Sequence, residues 1–248
     1  MKTFKMLISL CLFSLSLSTK AMAQTQTEPP VASVNVIENL NKIQKDLDII
    51  YKSGVHLYDQ GRLYILHKSA GDMINSYNTN GPIHKTTQNA IINLIIKFRF
   101  SSQFFELIRT ERNEPVIKSL ITSMTNLKRN TGFDDDPYNK ILKPNLDQIA
   151  KLFSFIIKEP SVATELKNNL NTMRVQLADV IAKADQGDRP IAFKAATDFC
   201  KALRLFYKQL SPLANQSSTT SYYLELVGLN EFIGEYSQVE ALQEKKNP

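Results

Sequence analysis

The sequence predicts an all-α protein, an antiparallel bundle of about seven helices behind a cleaved signal peptide. Three observations predict it. After residue 34, apolar residues recur at alternating four- and three-residue intervals, the spacing that lines one face of a helix. Glycine is scarce, at 8 residues in 248, beside many Leu, Ile, Lys, Asn and Gln, which favours helix over a turn-rich β fold. No segment sustains the polar–apolar alternation of a half-buried strand.

The chain opens as an export leader. Lys2 and Lys5 form a positive start, Met6 to Ser18 is an apolar run, and Ala21-Met22-Ala23 offers the small residues a signal peptidase reads. The run falls short of the roughly 20 residues a membrane span needs. Residues 1–23 therefore read as a signal peptide, with the mature chain starting at Gln24 in the periplasm or outside the cell. Residues 24–33, with Pro29-Pro30, read as a polar tether. Residues 34–245 read as a single helical-bundle domain.

Within that domain each helix has its own start and stop. Asn35 with Glu38 suggests a capping box, and Val36, Leu40, Ile43, Leu47 and Ile50 form the first stripe. Gly54 and Gly61 either share a face of one continuous helix or break it. Asn80-Gly81-Pro82 is a stop. The next helix, about Thr86 to Arg112, carries two stripes, one through Ile91, Ile95, Phe98 and Phe105 and one through Ile92, Ile96, Phe100 and Phe104. A helix apolar on two faces belongs at the centre of a bundle, with Ile95 and Phe98 buried. Lys97, Arg99, Gln103 and Glu106 interrupt it, so it does not read as a membrane span. Asn113 and Pro115 open a third helix that ends near Gly132, where two helical halves could meet. A fourth runs from Asp136-Pro137 to Pro160, with a kink or restart at Pro144. Ser161 caps a fifth. A sixth follows the loop Gln186 to Pro190 and stops at Ser211-Pro212. The last carries Tyr222, Leu226, Leu229, Ile233 and Tyr236.

Charge and chemistry exclude several classes. The net charge of +6 includes Lys2, Lys5 and Lys20 of the leader, so the mature chain carries only about +3. That is an ordinary solvated surface, without the clustered basic face a nucleic-acid binder shows. One cysteine, Cys200, survives cleavage, so no internal disulfide can form; it reads as a small buried hydrophobe. His56 and His67 lie roughly 16 Å apart along a helix axis, too far to share a metal. Asp134-Asp135-Asp136 lacks the alternation, turn glycine and distal Glu of a calcium loop. There is no G-x-S-x-G, H-E-x-x-H, Walker loop or C-x-x-C. No catalytic residue, metal site or cofactor is expected.

What remains are surfaces. The periodic stripes account for most large apolar residues as core, leaving Tyr51, Tyr58, Tyr64, Tyr222 and Tyr223 as amphipathic candidates for partner contacts. The leading expectation is an exported, non-enzymatic interaction module that binds a protein partner in a secretion, pilus or envelope assembly. A carrier of an apolar small molecule between helices is the second reading, motivated by the phenylalanine-rich second helix. A two-carboxylate hydrolase on a helical scaffold is the third.

Overall fold

A computed structural model describes residues 36–55, 57–81, 84–129 and 137–244, and for residues 57, 58, 128, 129, 137–139, 243 and 244 the backbone alone. The leader, the tether, the Asn35 cap, His56, the Gly132 junction and the Asp134–Asp136 cluster lie outside the described residues.

Every regular element among the described residues is helical. There are ten α-helices: α1 Val36–Lys52, α2 Leu57–Asn80, α3 Lys85–Phe100, α4 Ser102–Leu107, α5 Glu114–Arg129, α6 Pro137–Lys158, α7 Thr164–Asp185, α8 Arg189–Leu205, α9 Tyr207–Leu210 and α10 Thr220–Glu244, with a 3-10 turn at Ser211–Asn215. None of these helices is long and apolar enough to cross a membrane.

Among the described residues ten helices stand where the sequence reading has seven, because three of the seven are each split in two. The first breaks at Gly54, whose φ of +91° is a left-handed conformation that a helix cannot pass through. The second breaks at Ser101, whose amide bonds to both the Lys97 and Phe98 carbonyls and whose hydroxyl donates to the Lys97 carbonyl at 2.9 Å. The sixth breaks at Phe206, whose amide bonds back to the Leu203 carbonyl in a tight turn. The residue before α7 is Ala163 and supplies no side-chain cap, so Ser161 does not start that helix. Val162 is buried in the core, and the turn that buries it sets the entry into α7. α6 runs through Pro144, which is exposed.

The apolar residues form two cores. Leu40, Ile43, Leu47 and Ile50 of α1 meet Leu63, Leu66 and Met73 of α2, Ile91 and Ile95 of α3, Phe104 and Phe105 of α4, and Leu120, Met124 and Leu127 of α5. The second core joins α6, α7, α8 and α10 to Ile65 of α2 and to Ile92 and Ile96 of α3. The two stripes of α3 thus face two different cores, which is why that helix can be apolar on both sides. Phe98 departs from expectation. It is only half-buried, its ring 5.4 Å from that of fully buried Phe105.

The most enclosed helix is α10. Every residue from Tyr223 to Asn230 is buried, and α10 packs most extensively against α2 and α8, then α6. Two glycines make this packing close. A Cβ on Gly228 would fall 2.2 Å from the Gly61 carbonyl oxygen, and one on Gly61 would fall 2.9 Å from the Gly228 nitrogen. The backbones of α2 and α10 therefore touch. Gly54 and Gly61 play the two roles that their spacing left open: the first breaks a helix and the second admits a neighbour. A Cβ on Gly234 would meet Cys200 at 3.2 Å, and Cys200 is a buried free thiol whose pKa burial pushes up. Charges clamp the same three helices. Arg62 of α2 pairs with Glu235 and, at 3.5 Å, with Glu231, which also takes Arg204 of α8 and the Tyr207 hydroxyl at 3.0 Å.

Candidate functional site

Of the five tyrosines singled out by sequence, the structure brings two together. Tyr51, at the end of α1, is 37% exposed and donates to Gln60 Oε1 at 3.3 Å. Tyr64 is half-buried on the facing side of α2. Both line a groove of about 350 Å³ with Leu47, Leu63, Leu224 and His67. Its far wall is the start of α10, through Thr220 and Ser221. His67 sits 3.3 Å from Asp48, which also lines the groove. Helical spacing explains the pairing. Leu63 points to the first core, and Tyr64 and His67, one turn apart, follow on the flank beside it.

The others go elsewhere. Tyr222 is half-buried, its ring stacked at 5.7 Å on Phe155, away from the groove. The side chain of Tyr58 lies outside the described residues. Tyr223 is a correction. It is 0% exposed and belongs to the second core, so its side chain offers no contact surface. Consecutive residues on a helix point about 100° apart, and α10 is enclosed on nearly every side, so the inner of two adjacent tyrosines has only core to face.

Along the same helix pair the groove gives way to a polar cavity. Tyr64 and Lys68 are one turn apart on α2, and Ser221 and Glu225 one turn apart on α10. The Tyr64 hydroxyl is hydrogen-bonded with Ser221, and its pKa is raised by burial and by Glu225. Beyond it, Lys68 bridges Glu225 at 3.2 Å and Asp72 at 3.6 Å. Burial lowers the Lys68 pKa, but the two carboxylates outweigh it and hold the ammonium above its ordinary value. Gln148 of α6 donates to Glu225 at 2.9 Å. These residues, with Asn93, Lys97 and Asn145, surround a cavity of about 160 Å³ between α2, α3, α6 and α10.

The floor of the cavity is Lys97, which is buried. Its Nζ donates to Ser69 Oγ at 3.0 Å and lies 5.9 Å from the centre of the Phe232 ring. No carboxylate lies within ion-pairing distance of it among the described residues. Burial, helped by the Lys68 charge, pushes its pKa down to about 8, against the pull of Glu225 and Asp72. The side-chain oxygen of Asn93, one turn earlier, is buried without a hydrogen-bond partner. Sequence reasoning saw Lys97 only as an interruption of an apolar helix. The available signal was the spacing Asn93–Lys97–Ser101, a polar seam four residues apart on a helix whose other faces are both core.

The remaining expectations concern metal and histidine. No group of three or more His, Cys, Asp or Glu suited to a metal ion occurs among the described residues. His84 caps α3, its Nδ1 accepting from the Thr86 amide at 3.2 Å. No family model, no curated protein and no solved structure matches the chain.

Proposed function

We propose that this is an exported, non-enzymatic interaction module: a chain cleaved before Gln24 whose antiparallel helical bundle binds a protein partner in a secretion, pilus or envelope assembly. The groove between α1, α2 and the start of α10 carries the proposal. It offers two tyrosines, Tyr51 and Tyr64, over an apolar floor of Leu47, Leu63 and Leu224. Tyrosine suits such a surface because its ring adds apolar contact at small entropic cost while its hydroxyl remains a polar handle. A volume of about 350 Å³ sits at the small end of the range for ligand pockets. It suits one or two side chains of a docked segment, the scale of an interface hot spot. The phenylalanines that motivate an apolar-ligand carrier support it less. Phe105 makes tilted ring contacts with Phe98 at 5.4 Å and with Phe104 at 5.3 Å, so these rings fill the space beside one another.

Two measurements test the proposal. The intact mass of exported material should correspond to a start at Gln24; a full-length chain in the membrane fraction contradicts export with cleavage. Cross-linking in the native host should recover one recurrent protein, and Tyr51→Ala with Tyr64→Ala should weaken its recovery while the melt stays near that of the wild type. Turnover of an envelope polymer or small ester that vanishes on changing a single Asp, Glu or His would overturn the reading in favour of a hydrolase.

A further inference from the structure

The unmet bonding needs of the Lys97 cavity describe a ligand. An ammonium presents three donors, and Lys97 spends one on Ser69. The other polar groups around it are already engaged: Lys68 with Glu225 and Asp72, Gln148 with Glu225, and Asn145 Nδ2 with the Ile141 carbonyl at 2.6 Å. Two needs are left. Lys97 lacks an anionic acceptor, and the Asn93 oxygen lacks a donor. Water answers the hydrogen bonds but not the charge, and a buried ammonium without a counter-charge is among the least favourable groups a core can hold.

We infer that this cavity is a binding site for a short carboxylate that carries a neighbouring hydrogen-bond donor, an amino or hydroxy acid of a few carbons, with its carboxylate on Lys97 and its donor on Asn93. Size sets the scale. A cavity of about 160 Å³ equals roughly five waters at about 30 Å³ each, so a molecule of about that many heavy atoms fills it. Charge sets the class. Glu225 and Asp72 line the same cavity and repel a multiply charged anion such as phosphate more strongly than they repel a single carboxylate paired with Lys97. An amino group on the ligand would meet those carboxylates favourably. The entrance is where Lys68 and Asp72 lie, their side chains 38% and 61% exposed, so the site opens to solvent at one end and ends at the buried amine. This inference stands apart from the protein-partner reading and does not rest on it.

Ligand-observed saturation-transfer NMR and calorimetry on the mature chain at pH 7, with glycine, glycolate, acetate and ethylamine as probes, test it. Glycine or glycolate should bind saturably, acetate more weakly for want of a donor, and ethylamine not at all. Lys97→Met, which keeps an unbranched side chain one atom shorter and removes a buried charge, should fold and weaken binding by about tenfold or more. Asn93→Leu should erase the preference for glycolate over acetate while acetate binding persists. Saturable binding of none of the four probes, or equal binding by the folded Lys97→Met protein, would overturn the inference, as would a crystal soaked in glycolate whose cavity holds water alone.

Discussion

An ammonium packed inside a helical core is costly, and the chain keeps one at residue 97. The cost has a direction in pH. The Lys97 pKa is about 8 in the folded protein and 10.5 ordinarily. Below pH 8 both folded and unfolded chains carry the proton, and the whole penalty of burying the charge is present. Between the two values the folded chain sheds its proton while the unfolded chain keeps it, so stability climbs with pH; above 10.5 the penalty is gone. The shift corresponds to roughly 3 kcal/mol as an order of magnitude. Lys97→Met should therefore be more stable than wild type at pH 7, by an amount that shrinks as pH rises from 8 to 10.5. Lys68, Glu225 and Asp72, the charged groups that act on Lys97, are present in both proteins, so the difference between their denaturant midpoints across that range isolates residue 97. A difference that does not change with pH contradicts the buried, charged amine. This residue was only half legible in the sequence. Periodicity assigns faces to water or core by their polarity, and a polar seam that faces a core defies that rule.

Among the elements, α3 and α10 show what periodicity reads well and what it misses. The two stripes of α3 are plain in the sequence because each faces a core made of Leu and Ile. The depth of α10 is not, because its buried face includes Glu225 and Asn230, held by Lys68, Gln148 and the Tyr207 hydroxyl, partners distant in sequence. The helix breaks at Ser101 and Phe206 are hidden for a related reason: neither residue is a breaker, and local hydrogen bonds with no sequence signature make the turn. The contact of α10 with α2 should be the tightest constraint in the molecule. Gly228→Ala would place a methyl group against the Gly61 carbonyl, backbone that cannot rotate aside. It should cost about 1–3 kcal/mol or more by overpacking, read as a lowered chemical-denaturation midpoint. Gly54→Ala, in open space but at positive φ, should cost less, about 1–2 kcal/mol. In the first core, Phe105→Ala should cost about 3–5 kcal/mol, and Phe98→Ala roughly half of that because its ring is already partly solvated. Equal losses would mean that Phe98 is as buried as its stripe suggests.

At the scale of the whole molecule, the chain places its halves on either side of α2 and α3. Helices α1, α4 and α5 close one core, helices α6 to α8 and α10 the other, and α2 and α3 supply both. The all-helical class was legible because burial follows periodicity over most of the chain. The candidate groove was not, because it is assembled across helices far apart in sequence: Tyr51 and Tyr64 from the first half meet Thr220, Ser221 and Leu224 from the last helix. Only folding makes those residues neighbours, and folding also removes Tyr223 from the surface. The proposal that a protein partner docks in this groove is tested most directly by site-specific photo-cross-linking in the native host. A benzophenone amino acid at position 51 reports on the groove, and one at position 205, where Leu205 is 87% exposed on α8, serves as the control. The account predicts one recurrent protein adduct from position 51 that is absent from position 205. Adducts of lipid alone from position 51, or the same scattered proteins from both positions, would contradict it.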